Sequence, residues 1–336
     1  MVAWIVIAIV VFHITWYALT RSKTRENIPD EKIIAQLKEK MYQRFNISID
    51  TVAHEEIFIE ANGGRLHLDV FANSTGSPNL VFIPGTSVYA GIYVELMYAI
   101  YQQGFTVVGF DPRGHGQSSG PRGDYAMSTI VDDALAVVNY AQKRFGGRVA
   151  VAGSSQGGMA AFYAAARQDP EADTLAAAVC HNIADLNGRD NLILSRFAVP
   201  AWTVPINDLL LSIYQHFAVP VSLYLDLSKE TLVDGTDAAT YVREDPLCIN
   251  WIKLKALRSL MKTPLAKPVG KITVPVMLVH SDEDNIFPQD YVEGIFNRLT
   301  CPKEYLLLKG RDHLVMTNHV DEVADPISEW LKKIMM

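Results

Sequence analysis

The segment Gly153-Ser154-Ser155-Gln156-Gly157 offers a hydroxyl nucleophile at the head of a helix-prone stretch, Gly158-Met159-Ala160-Ala161-Phe162, directly after the apolar run 148–152. A strand-to-helix turn this sharp strains the serine backbone and leaves no room for side chains two residues to either side. Gly153 and Gly157 meet that demand around Ser155. Around Ser154 the flanks would be Ala152 and Gln156, and glutamine is too large. A glycine-rich turn with two polar residues would look the same without partners. Serine needs an adjacent base, and that base needs a third group to hold its tautomer. In this kind of turn the chain order is serine, acid, histidine, so the partners are sought beyond Ser155.

Catalytic groups in open α/β sheets collect at the carboxyl ends of strands. Two late loops qualify. After the apolar run 274–280 comes Ser281-Asp282-Glu283-Asp284-Asn285-Ile286-Phe287-Pro288, with three carboxylates that could equally be solvated loop charges. After the run 304–308 comes Lys309-Gly310-Arg311-Asp312-His313, which places His313 where the base belongs. His115 precedes the serine, His181 precedes every late acid, His280 adjoins the acidic loop, and His319 falls near the last helix. None fits both order and position as well as His313.

A tetrahedral intermediate needs two fixed donors where negative charge develops. The backbone N–H of Gln156 supplies one, beside the positive end of the helix that starts there. The loop Pro84-Gly85-Thr86-Ser87 supplies the second: Gly85 lets the chain turn and the Thr86 N–H points inward. An ordinary turn would also explain Pro84-Gly85.

These loops must be held by a sheet. Strand-like runs occur at 55–60, 65–71, 79–83, 105–110, 148–152, 175–180, 274–280 and 304–308, alternating after the first two with stretches long enough for crossover helices. That rhythm predicts an α/β architecture with a mostly parallel sheet of eight strands. Asn62-Gly63-Gly64 predicts a tight antiparallel hairpin between the first two. The rhythm fails only over 184–271, where Leu192, Ile193, Leu194, Phe197, Trp202, Leu209, Leu210, Leu211, Ile213, Tyr214 and Phe217 suggest an inserted helical subdomain, a lid with an apolar inner surface. The chain then divides into 1–20, 21–51, a core in two parts at 52–183 and 272–336, and the insertion.

Residues 1–20 carry no fixed side-chain charge before Arg21, and twenty apolar residues at ~1.5 Å each cover the roughly 30 Å core of a bilayer. With Trp4, Trp16 and Tyr17 near its ends, no basic leader and no A-x-A-like cleavage site, the stretch reads as an uncleaved single-pass membrane anchor, with a signal peptide or a buried helix as the alternatives. Arg21, Lys23 and Arg25 would keep the rest of the chain cytoplasmic. Ile33, Ile34, Leu37, Met41 and Phe45 then mark a short amphipathic helix in the linker 21–51 that packs on the core or lies on the membrane.

The net charge of −7 and the lack of basic runs argue against nucleic-acid binding. Three widely spaced cysteines, Cys180, Cys248 and Cys301, fit neither a disulfide framework nor a metal clip. Nine histidines without H-E-x-x-H or paired ligand spacing argue against a metal hydrolase, and no cofactor is called for. Gly114 and Gly116 hint at a dinucleotide loop, but Ser119 stands where the third glycine belongs and Pro121 interrupts the helix that should follow.

Phe110-Asp111-Pro112-Arg113-Gly114-His115-Gly116-Gln117-Ser118-Ser119-Gly120-Pro121-Arg122-Gly123, together with the serine turn and Asp245-Pro246-Leu247, resembles the monoglyceride lipase and lysophospholipase branch of the α/β-hydrolase superfamily, the serine aminopeptidase S33 type. The resemblance spans roughly 52–330. It implies the α/β-hydrolase fold, Ser155, Asp284 and His313 as the triad, and Thr86 and Gln156 as oxyanion donors. It departs at Pro84-Gly85, where the branch usually has His-Gly. The expected activity is hydrolysis of a lipid-like ester such as a monoacylglycerol or lysophospholipid. The alternatives are an aminopeptidase, an acyltransferase, or a noncatalytic binding protein of the same fold.

Overall fold

The computed structural model describes residues 2–44, 54–168, 174–188 and 203–336. Along the chain these form α1 (Val2–Lys23), α2 (Glu31–Arg44), β1 (His54–Ala61), β2 (Gly64–Phe71), β3 (Asn79–Ile83), α3 (Val94–Gln102), β4 (Thr106–Phe110), α4 (Met127–Phe145), β5 (Val149–Ser154), α5 (Gln156–Arg167) and β6 (Ala177–His181). There follow α6 (Val204–Ile213), β7 (Ala218–Pro220), α7 (Ala238–Glu244), β8 (Trp251–Lys253), α8 (Leu254–Lys262), β9 (Val276–Ser281), α9 (Gln289–Phe296), β10 (Lys303–Leu308), α10 (Val315–Asn318) and α11 (Val320–Met335). All eight expected strands are present, and they form one sheet in the order β1-β2-β4-β3-β5-β6-β9-β10. Only β1–β2 and β2–β4 pair antiparallel. Asn62 and Gly63 both take positive φ, 51° and 78°, as a two-residue hairpin turn requires.

Alternate residues of the buried strands feed two cores. Val81 and Ile83 face α4 and α5, while Leu80 and Phe82 face α3 and α11. In α4, Ile130, Ala134, Val137, Val138 and Ala141 recur at helical spacing and are fully or almost fully buried, each larger side chain contributing ~1.5–3 kcal/mol. Gly146, with φ 69°, ends that helix where a Cβ would be strained.

Strand order reverses at β3: β4 lies on one side of it and β5 on the other. The crevice beyond the carboxyl ends of β3 and β5 is therefore the topological switch point, the place where such sheets bind ligands. The loop with Thr86 leaves β3 there, and Ser155 leaves β5.

Between β6 and β9 the chain departs from the sheet, as expected. The insertion carries α6, α7 and α8 and, beside them, a short antiparallel ladder, β7 with β8, of three residues each, too short to show a strand period in sequence. Leu192, Ile193, Leu194, Phe197 and Trp202 lie outside the described residues. Asp245, in the middle of the insertion, accepts hydrogen bonds from the Tyr89 and Tyr241 hydroxyls and from Leu247 N–H, and Ile249 N–H then bonds Ser87 O, stitching the insertion to the β3 loop.

Helix α2 packs rather than floats: Ile34 and Met41 are buried and Leu37 joins the same core, while Ile33 is exposed and Phe45 lies outside the described residues. Cys180 and Cys248 are buried free thiols, and Cys301 is half-buried and free.

Candidate active site

Ser155 sits between β5 and α5 with φ 54° and ψ −115°, a left-handed conformation that a non-glycine residue holds only when its surroundings enforce it. The enforcement is steric. A Cβ on Gly153 would come within 2.2 Å of the Gly157 backbone, and one on Gly157 within 2.1 Å of Ile83 O. Gly158, which the motif does not single out, is as tightly constrained, 2.2 Å from His181 O.

His313 follows β10, and its Nδ1 lies 2.8 Å from Asp284 Oδ2, which follows β9. Among the three carboxylates of that loop the structure is selective. Asp282 is exposed and accepts from Gly310 N–H at 2.6 Å, Glu283 is exposed, and the Asp284 side chain is fully buried. Its second oxygen accepts the N–H groups of Ile286 and Phe287, at 2.7 and 2.8 Å. Burial alone would push the Asp284 carboxyl up, but the charge and hydrogen bond of His313, with the Phe287 N–H, hold it well below the usual carboxylate range. Burial would likewise lower His313; the facing Asp284 charge, its hydrogen bond and nearby Glu230 raise it instead.

Four participants escape motif reading. Asn182, just past β6 with φ 71°, donates from Nδ2 to Asp284 Oδ2 at 2.9 Å and accepts at Oδ1 from His280 Nδ1 at 2.6 Å. A carboxylate only accepts, which fixes the orientation of the Asn182 amide. His181 packs its ring 5.0 Å from that of His313 and meets Ser154 Oγ at 3.1 Å; burial, then the neighbouring His313, keeps it neutral. Glu230, from the insertion, is fully buried and its Oε2 accepts the His313 N–H at 3.3 Å. Tyr93 accepts the Gly85 N–H at 3.3 Å, taking up the loop support that Pro84-Gly85 left open. Of the four, His181 was visible as a histidine at a strand end and Asn182 as a residue able to take positive φ there; Glu230 and Tyr93 carried no sequence signal.

Thr86 Oγ1 donates to Gln156 Oε1 at 2.5 Å, and the Tyr125 hydroxyl approaches the same oxygen at 3.3 Å, so the two expected oxyanion loops are tied together. Gln156 is the first residue of α5, whose opening N–H groups have no partner within the helix. A Cβ on Gly85 would stand 2.9 Å from Tyr93 Oη and 3.6 Å from Ser155 Cβ, which explains a glycine there.

Ser155, His313, Gly85 and Thr86 line one narrow cleft, walled by Leu225, Leu227, Leu232 and Val242 of the insertion. Ser155 and Thr86 also line a second small hollow with Met159, Leu186, Leu260 and Phe287. The Phe110–Gly123 loop stands behind these. Buried Asp111 accepts from the N–H groups of Ala90 and Gln117, both at 2.8 Å, and Gly116 is needed because a Cβ would fall 2.0 Å from its carboxylate.

Two groups among the described residues bring three metal-type ligands within 4.8 Å: His181 with Asp284 and His313, and Glu56 with His67 and Asp69. The first is the site itself. In the second, burial is overcome by Asp69, Asp111 and Glu56, which push His67 up to about 10; a ring that holds its proton so firmly is a poor metal ligand.

The serine aminopeptidase S33 family profile matches residues 77–319. The AB hydrolase superfamily protein YisY of Bacillus subtilis is 26% identical over 241 residues, 68% of this chain and 83% of that protein. In fold, the chain is similar to Paleococcus ferrophilus monoacylglycerol lipase, with TM-score 0.64 and 23% identity over 80% of this chain and 98% of that one. It is also similar to a soluble variant of Saccharomyces cerevisiae monoglyceride lipase, with TM-score 0.68 and 18% identity over 87% and 99%. A switch-point serine on a glycine-locked turn, in a chain matched over most of its length, makes this protein an α/β hydrolase belonging to the serine aminopeptidase S33 family.

Proposed function

We propose that the protein is a membrane-anchored serine esterase that cleaves lipid-like carboxylic esters, monoacylglycerols or lysophospholipids, with Ser155, His313 and Asp284 as its triad. The observation that carries this reading is the lining of the two hollows meeting at Ser155, where the described residues offer aliphatic and aromatic walls and no carboxylate or basic chain other than His313. An aminopeptidase must pair a substrate ammonium with a carboxylate, because a desolvated unpaired charge costs several kcal/mol. An acyl chain gains ~0.8 kcal/mol per buried methylene in such walls.

With Nδ1 held by Asp284, His313 takes the Ser155 proton at Nε2 as Oγ attacks the ester carbonyl. The N–H groups of Thr86 and Gln156 receive the oxyanion. Collapse expels the alcohol, protonated by His313, and leaves an acyl-serine that a water activated by the same imidazole hydrolyses. The reaction needs no metal or cofactor. The insertion is the lid, since Leu225, Leu227 and Leu232 of the cleft wall belong to it. Helix α1 is the anchor: among the described residues it is the one helix long and apolar enough to cross a membrane, and Arg21 and Lys23 at its end favour a cytoplasmic catalytic domain.

The test is kcat/KM across monoacylglycerols of increasing acyl length, below their aggregation thresholds, beside aminoacyl amides. The reading requires a rise approaching ~fourfold per carbon until the hollow is full. A flat profile with faster amide hydrolysis rejects it.

A further inference from the structure

Helix α6 is built inside out for a water-soluble surface. Ile206, Leu209, Leu210 and Ile213 recur at i, i+3, i+4 and i+7, so they form one face, and they are 53%, 60%, 47% and 60% exposed. The charged residue of this helix points the other way: Asp208 pairs with Arg258 at 2.8 Å and Lys262 at 3.7 Å on α8, and Leu211 packs on the core. Among the described residues nothing covers the apolar face.

What adjoins it is α1. His13 Nε2 meets the Tyr214 hydroxyl at 3.0 Å, Trp16 Nε1 donates to Ala218 O at 2.8 Å, and Ala218 N–H donates to Thr20 Oγ1 at 2.9 Å. The Trp16 and Phe217 rings lie 4.5 Å apart. One end of α6 and the start of β7 are thus fastened to the apolar helix itself, between His13 and Thr20. At ~1.5 Å per residue, His13 and Trp16 lie ~8–12 Å along α1 from Arg21, close to the depth at which interfacial helices sit. Ten residues are too few for α6 to span a bilayer, so it can only lie in the interface plane.

We propose that α6 is a second membrane-contact element, whose face of Ile206, Leu209, Leu210 and Ile213 is immersed in the lipid surface while α1 clamps it at a fixed depth. The lid then belongs to the membrane rather than hanging above it. This rests on the reading of α1 as a membrane span.

The full-length protein, with Cys301→Ser to remove the half-buried thiol, is given a fluorescent label at one of three sites, Leu209→Cys, Ile9→Cys or Glu304→Cys, and placed in phosphatidylcholine vesicles. Quenching by an acyl-chain nitroxide lipid and by aqueous iodide is compared. The proposal requires nitroxide to quench the Leu209 label at least ~threefold more than the Glu304 label, toward the level at Ile9, with iodide in the reverse order. A Leu209 label that behaves like Glu304 while Ile9 is quenched overturns the proposal and leaves the anchor standing. A Leu209 label shielded from both quenchers means that protein covers the face, and also overturns it. An Ile9 label untouched by nitroxide removes the anchor and the proposal together.

Discussion

Asn182 and His313 converge on one oxygen: Asp284 Oδ2 accepts the Asn182 amide at 2.9 Å and the His313 ring at 2.8 Å. The amide thus holds that oxygen beside the imidazole. Asn182→Asp replaces this donor with a like charge. The expected result is a kcat loss of about 10²-fold with little change in KM, and a His313 titration moved upward by the added negative charge. A pH profile of kcat/KM reads both; an unmoved profile would assign Asn182 to packing alone.

Ser155→Ala should lower ester turnover by about 10³-fold or more and abolish fluorophosphonate labelling, because the nucleophile and base act as a unit. Ser154→Ala removes a hydroxyl that meets His181 and Tyr93, and should keep most activity. Equal melting temperatures for the two variants would show that the fold is intact. Activity retained in the first and lost in the second would sink the assignment.

Asp284→Asn leaves the geometry in place while favouring the wrong imidazole tautomer, a change expected to cost about 10⁴-fold in kcat. Asp282→Asn loosens a bond to the Gly310 N–H and should be mild in activity. Exchanged results would move the acid to Asp282.

The sign of the pH dependence follows from His313. The base works only when neutral and its folded pKa is raised, so kcat/KM should climb through a midpoint above the ordinary histidine value. Glu230→Gln removes one of the charges that raise it. The midpoint should then fall, and stopped-assay rates across pH decide the matter.

His67 offers a stability test apart from catalysis. Its folded pKa of about 10 lies above its unfolded value, so its contribution is complete below about 6.5 and is lost as pH rises through about 10. The urea midpoints of the native chain and His67→Gln should therefore differ most at mildly acidic pH and converge in alkali. A constant difference would show that the charge is irrelevant.

The inner strands were legible as short apolar runs, the first two strands as alternating segments joined by Asn62-Gly63, and the Ser155 turn because its flanking glycines lie within five consecutive residues. Asp284 needed a family likeness: burial separates it from Asp282 and Glu283, and burial is not local. Asn182, Tyr93 and Glu230 stayed hidden for the same reason. Asn182 meets Asp284 across 102 residues and Glu230 meets His313 across 83, with no spacing rule joining them. The clasp of His13 and Tyr214 spans 201 residues, so α1 looked like a separate tether when it packs against the insertion.

That clasp also bears on biogenesis. Synthesis makes α1 first, and about 180 residues separate it from the start of α6, roughly 10–40 s at ordinary elongation rates. On the anchor reading, α1 is already in the bilayer when the sticky face of Leu209 and Ile213 appears, and Tyr214 and Phe217 find their docking partner waiting at the lipid boundary. A chain whose first helix is delayed or removed would present that face to water, where it invites aggregation. On that reading the order of the segments acts as a built-in chaperone for α6.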